Sequence, residues 1–290
     1  MAASILLGSA APGAPSGLKR DGRMLLWEER PLQLVGYSYY GLLGDRSFEP
    51  EPFLEILAAN NLNFTRFFLI LPWPVEPGPN VLPFTKTDGK YDLTRLNDEF
   101  FVRLRHIVTT AEKLGIICQL CLFDRCGLSI ADDRAWPNNP YNANCNINGI
   151  LSGEGRGYPP FCETDGPIAE INSAFLRRVV DTTGDCGNVI YEIMNEPYRS
   201  LGPLEKWHAW VARELRKSLA GKSGSNVISS CGAYDDSEID VFSMHMAGSE
   251  RHVTAAIRES ERLQKPVILS DDGDTRCMFR PDVTVASARR

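Results

Sequence analysis

Two rhythms of apolar positions run along this chain. Short apolar, β-branched runs at 64–71, 116–123, 189–194, 226–231, 241–246 and 265–270 are bounded by Pro, Gly, Asn or Asp and predict buried strands. Between them apolar residues recur at helical spacing. Phe53, Ile56 and Leu57 mark a helix over 50–60. Leu96, Phe100, Leu104, Ile107, Val108 and Ala111 mark the longest one, over 93–114, closed by Gly115. Further helices are predicted at 167–180, 203–219 and 250–263, and Pro281 stands where proline opens another over 282–290. Residues 23–36 predict two short strands about a turn at 28–31. Residues 33–39 predict the first strand of the main sheet. The segments 72–90 and 125–166 read as loops, and loops as long as the second are usually functional.

Counted this way, seven main-sheet strands alternate with helices, which implies a parallel α/β sheet. The expected fold is a (β/α)₈ TIM barrel that lacks, or is truncated before, its eighth strand. The N-terminal hairpin is placed to cover the barrel bottom rather than to replace that strand. A chain of 290 residues suits one such barrel domain over 18–290, preceded by an Ala/Gly/Pro/Ser-rich tail at 1–17.

Charge and composition narrow the partners. The net charge is −6, from 31 basic and 37 acidic residues, with no Lys/Arg-rich stripe, which argues against nucleic acid or an anionic membrane surface. No apolar run approaches the ~20 residues of a membrane span. The apolar stretch Ile5–Leu7 lacks the basic lead-in of a secretory signal, and the compartment stays open. Of the eight cysteines, Cys118 and Cys121 have C-x-x-C spacing, but three apart on a strand they face opposite sides and read as core thiols. Cys145 and Cys162 lie in one loop and are free to pair in an oxidising compartment. No metal-type His cluster, phosphate-cradling Gly loop or G-x-S-x-G elbow occurs, so no cofactor is expected. Oligomeric state is open.

The candidate chemistry sits at strand ends. The run Val189-Ile190-Tyr191-Glu192-Ile193-Met194 stops at Asn195-Glu196-Pro197, because proline cannot join a ladder. That leaves an amide and a carboxylate at the carboxyl end of a buried strand, where barrels bind ligands. Burial there is expected to raise the pKa of Glu196, as a general acid requires. Lys265-Pro266-Val267-Ile268-Leu269-Ser270 likewise ends in Asp271-Asp272-Gly273. Arg66 in an apolar strand needs a buried anionic partner. Glu192, four residues before Glu196 and on its face, is one choice.

The stretch 189–197 resembles the fourth-strand motif of the clan A glycoside hydrolases, most of all the family 5 cellulases and mannanases. The likeness extends over 33–273 in element order. It implies an eight-stranded barrel that cleaves O-glycosidic bonds of a β-linked oligo- or polysaccharide with two carboxylates, with retention. By that resemblance Glu196 is the general acid/base and Asn195 holds the sugar 2-hydroxyl. Asp271 stands at the nucleophile position, where the family has Glu. Its shorter side chain bears on the carboxyl spacing, about 5–5.5 Å in retaining and ~6.5–9.5 Å in inverting enzymes. Arg66 matches the arginine that holds the nucleophile ionised. His245 matches a histidine that contacts sugar or acid, while Ala247 replaces a common tyrosine. Tyr39, Tyr40, Trp73, Trp136 and Tyr158 fall on the carboxyl-end side of the strands and suit the apolar faces of sugar rings. The departures at Asp271 and Ala247 and the missing eighth strand leave a second reading, a non-catalytic or impaired glycan-binding relative.

Overall fold

The computed structural model describes residues 17–71, 80–128, 135–151, 160–197, 204–232, 236–245 and 250–270. Its centre is a six-stranded, all-parallel sheet. The strands are β4 (Phe64–Phe68), β7 (Ile117–Asp124), β8 (Val189–Asn195), β9 (Val227–Cys231), β10 (Val241–Met244) and β11 (Val267–Leu269). Within this sheet each strand after β4 pairs with the sheet strand that precedes it in the chain, so the sheet curls in one direction as a half-barrel. Helices α1 (Pro50–Ala59), α2 (Asp98–Lys113), α3 (Gly166–Thr183), α4 (Leu204–Leu219) and α5 (Glu250–Leu263) lie in the crossovers. This is a partial (β/α)₈ barrel, as the alternation of patterns implied; among the described residues there is no eighth strand.

The expected first strand over 33–39 is present only in outline. Gly36 makes one parallel bridge to Phe64. Around it Asn63 N–H donates to Val35 O (2.8 Å) and Tyr37 N–H to Phe64 O (3.2 Å). A Cβ on Gly36 would stand 1.7 Å from the Phe64 carbonyl oxygen, so only glycine allows this approach. Between Leu34–Ser38 and Val267–Ser270, the two free edges of the half-barrel, runs a groove of about 580 Å³.

The barrel interior is layered. Phe64, Ile117, Ile190, Val227, Val241 and Ile268, one from each strand, form an apolar floor. A three-stranded antiparallel ribbon, β1 (Leu18–Asp21), β2 (Met24–Trp27) and β3 (Arg30–Leu32), packs Leu18 and Leu25 onto it. Its β2–β3 turn is Glu28–Glu29, both at positive φ as tight hairpins require. Two residues further along each strand the same face carries Arg66, Gln119, Glu192, Ser229, Ser243 and Ser270, all buried. Gln119 Nε2 donates across the interior to Ser229 Oγ (3.2 Å) and Ser243 Oγ (3.0 Å). Aliphatic layers usually fill such barrels; here a polar girdle sits over the floor.

One stretch departs from the sequence reading. Residues 84–96, expected as loop and early helix, form a hairpin of β5 (Phe84–Thr87) and β6 (Lys90–Leu96). Asp88-Gly89, at φ 51° and 82°, makes its turn. Helix α2 therefore starts at Asp98, where the Asn97 side chain accepts from Glu99 N–H. The hairpin anchors part of the long loop: Tyr91 N–H donates to Cys145 O (2.8 Å) and Leu93 N–H to Asn148 Oδ1 (2.8 Å). Asn139, Asn142 and Asn146 each accept from the backbone two residues on, which explains the asparagine density there. Cys118 and Cys121 are buried thiols on opposite faces of β7, and Cys145 and Cys162 are unpaired thiols. Among the described residues no helix is long and apolar enough to cross a membrane.

Candidate active site

The carboxyl ends of β7, β8 and β10 bring together one group of polar side chains. Glu196 follows β8 with φ +45°, a left-handed conformation that costs a non-glycine residue on the order of 1–3 kcal/mol and is typical of functional positions. The turn aims its carboxylate between two other segments. Cys126 Sγ donates to Oε2 (3.1 Å), and His245 Nδ1 stands 3.6 Å from Oε1. Arg125 Nε donates to the Glu196 carbonyl (3.1 Å).

Asn195 is held from both ends of its amide. Its Oδ1 accepts from Arg66 Nη2 (2.8 Å), and its Nδ2 donates to Asp124 Oδ1 (2.7 Å). These partners fix which end is oxygen. Asp124 ends β7, and its burial pushes its pKa up to about 6 despite the bonds from Asn195 and the Gly127 and Cys126 amides.

Arg66 lies beneath them. Nε donates to Glu192 Oε2 (2.6 Å) and Nη2 to Glu192 Oε1 (3.1 Å), with both side chains buried. Its guanidinium stands over the Phe68 ring at 5.2 Å. Glu192 is thus a buried anionic partner of Arg66. Asp271, the nucleophile suggested by resemblance, lies outside the described residues.

His245 stands between two carboxylates, with Nε2 4.0 Å from Glu192 Oε1. Burial opposes a charged ring there, but Cys231 and Glu196 raise its pKa to about 10. The expectation of a raised pKa for Glu196 is overturned. His245 foremost, then Cys126 and Arg125, outweigh its burial and hold the carboxyl down at about 2. The resting pair is therefore carboxylate and imidazolium, with the shared proton on the histidine.

Three of the aromatic residues expected to line a cleft, Tyr39, Tyr40 and Trp136, are buried. Tyr39 is 1% exposed and its hydroxyl donates to Asp45 Oδ2 (2.7 Å). Tyr40 is buried edge-on against Phe68, and Trp136 is 3% exposed within the main core. In this arrangement none of the three offers a ring face to a ligand. Trp73 and Tyr158 lie outside the described residues, as does Ala247. Conversely, Asp124, Arg125, Cys126 and Cys231 were not singled out for the site from sequence. The available signal was that Asp124 and Cys231 end predicted strands, the same signal that marked Glu196.

Solved structures share this architecture. A Bacteroides vulgatus protein assigned to the glycoside hydrolases matches over 89% of this chain with a TM-score of 0.66 at 17% identity; the match spans 48% of that protein, about half its length. The endo-1,4-β-mannanase of Rhizomucor miehei matches over 87% of this chain and 80% of its own, with TM-score 0.65 and 12% identity. The Thermobifida fusca endoglucanase Cel5A catalytic domain matches over 96% and 84%, with TM-score 0.54 and 14% identity. These solved structures and this chain share one fold, that of a (β/α)₈ barrel. In such a barrel the carboxyl ends of the strands, where Glu196, Asn195 and His245 stand, form the ligand-binding face. No protein-family model matches the chain, and no curated protein does.

Proposed function

We propose that the chain is a glycoside hydrolase acting on a β-linked oligo- or polysaccharide, with Glu196 as general acid/base and Asp271 as nucleophile. One observation carries this reading: the Glu196 carboxylate, turned out at the end of β8, lies between an imidazole and a thiol, beside an Asn195 amide locked by Arg66 and Asp124. An amide held that firmly suits the sugar hydroxyl next to the breaking bond, since it needs no reorganisation during reaction.

The acid step falls to a pair. A glycosidic oxygen needs a proton as it leaves. Glu196 is ionised at rest, so the proton comes from the His245 imidazolium through Glu196 once sugar has displaced water and drawn the 3.6 Å gap closed. The aglycone leaves with that proton as Asp271 forms the glycosyl ester. Glu196 then takes a proton from water and passes it back to His245, while the water oxygen displaces Asp271 and completes retention. Saccharide ligands of fold neighbours fit the substrate class: a Rhizomucor miehei family 5 mannosidase binds mannosyl-fructose, and a Rhodococcus endo-glycoceramidase binds a cellobiose-like imidazole.

The second reading, a glycan-binding relative without turnover, draws on the low pKa of Glu196, which suits an acceptor better than an acid. Reducing-sugar release from β-glucan, mannan, xylan and aryl β-glycosides decides between them. Turnover by the native chain, abolished in Glu196→Gln while sugar binding survives, supports the hydrolase. Sugar binding without turnover in the folded native chain supports the binding reading.

A further inference from the structure

At the top of the polar girdle Glu192 on β8, Cys231 at the end of β9 and His245 just after β10 each bring one metal-type donor to a common position. A carboxylate oxygen of Glu192, Sγ of Cys231 and a ring nitrogen of His245 all lie within 4.8 Å of one another. Glu192 and Cys231 are 0% and 8% exposed. Among the described residues this is the one such grouping. We propose that Glu192, Cys231 and His245 bind a thiophilic divalent cation of the zinc class at the centre of the barrel. This site shares His245 with the proposed hydrolase chemistry, but the argument for it does not depend on that chemistry.

The donor set is a thiolate, an imidazole and a carboxylate, the combination zinc takes. Bonds of about 2.0–2.3 Å place tetrahedral ligand atoms ~3.3–3.8 Å apart. His245 Nε2 and Glu192 Oε1, 4.0 Å apart, are close to that spacing already. The outer partners are also in place. Metal-bound histidines turn their other nitrogen to a carboxylate, and His245 Nδ1 faces Glu196 at 3.6 Å. Ligating carboxylates are themselves hydrogen-bonded, and Glu192 is held by Arg66. A carboxylate has about four acceptor sites, so Oε1 keeps a lone pair after accepting from Nη2.

Arg66 also sets selectivity. Its fixed positive charge offsets that of Glu192 and so weakens the attraction for hard cations, which rely on carboxylate charge. A cation bonded by the Cys231 thiolate loses less. The site should thus accept Zn²⁺ and Co²⁺ and reject Mg²⁺ and Ca²⁺. Loading displaces the thiol proton and any proton on Nε2.

The test is a Co²⁺ titration of the chelator-treated full chain. One equivalent is expected to raise the near-ultraviolet thiolate-to-cobalt absorption, which Zn²⁺ abolishes and excess Mg²⁺ leaves unchanged. Cys231→Ser is expected to remove the band and weaken Zn²⁺ binding by more than about 100-fold, while Cys145→Ser keeps both. X-ray absorption of the zinc-loaded native chain is expected to show one sulfur among nitrogen and oxygen donors, a result independent of how any variant folds. Absence of a stoichiometric band, its survival in Cys231→Ser, its loss in Cys145→Ser, or a shell with no sulfur or two would overturn the proposal.

Discussion

Arg66 and Glu192 form a two-point ion pair in the middle of the barrel, with Nε–Oε2 at 2.6 Å and Nη2–Oε1 at 3.1 Å. The same guanidinium reaches Asn195 at 2.8 Å. One buried cation therefore ties the interior of β4 to β8 and orients the amide next to Glu196.

Breaking this pair on one side strands a buried charge. Glu192→Met or Arg66→Met is expected to destabilise the fold by about 3–5 kcal/mol. The double variant Arg66→Met/Glu192→Met is expected to lose less than the sum of the singles, because it leaves no charge unpaired. Urea unfolding of the four proteins gives the coupling. Additive losses would mean that the two side chains act independently.

The Glu196–His245 pair makes stability depend on pH in a defined way. Glu196 drops from its ordinary 4.5 to about 2 on folding, so its contribution is present above about 4.5 and is lost as pH falls towards 2. His245 rises from 6.5 to about 10, so its contribution is present below 6.5 and is lost as pH rises towards 10. Both are complete only between about 4.5 and 6.5. The stability of the native chain relative to Glu196→Gln should peak there and shrink on either side. The burial cost of Asp124 is largely common to both proteins and drops out. A difference that is flat with pH would show that Glu196 and His245 do not sense each other.

Much of this arrangement is legible in the sequence because periodicity reports burial. Glu192 and Glu196 were placed on one face by their spacing, and Arg66 demanded a buried anion, which Glu192 supplies. What failed depended on distant partners. Tyr39 reads as a cleft aromatic until Asp45 is seen to accept its hydroxyl. The pKa of Glu196 follows from His245 and Cys126, which lie 49 residues after it and 70 before it and reach it only through the curl of the sheet. The hairpin over 84–96 is hidden in the pattern because Leu93 and Leu96 also fit the helical repeat, although Asp88-Gly89 signals the turn.

Gly36 closes the first edge of the half-barrel at a position with no room for a side chain. Gly36→Ala would set a methyl 1.7 Å from the Phe64 carbonyl, so residues 35–37 must move off β4. The expected loss is about 2 kcal/mol or more, seen as an earlier urea midpoint. Gly89→Ala, where nothing lies within 4 Å but φ is +82°, should cost about 1 kcal/mol of backbone strain. Equal effects at both sites would argue that residues 35–37 are not seated against β4.

Cys126 separates the hydrogen bond at Glu196 from the charge of His245. Its thiol donates to Oε2 at 3.1 Å, which favours the ionised carboxylate. Cys126→Ala removes the donor and leaves His245 in place, so the Glu196 pKa should rise from about 2, though not to its ordinary value. Cys126→Ser keeps a hydroxyl donor and should titrate close to the native chain. Carbon-13 NMR of the Glu196 carboxyl reads this directly, whether or not the chain turns over substrate. If the hydrolase reading holds, the acid limb of kcat/KM shifts in the same direction in Cys126→Ala. Identical titrations for the Ala and Ser variants would show that the thiol only fills space and that His245 alone sets the charge of Glu196.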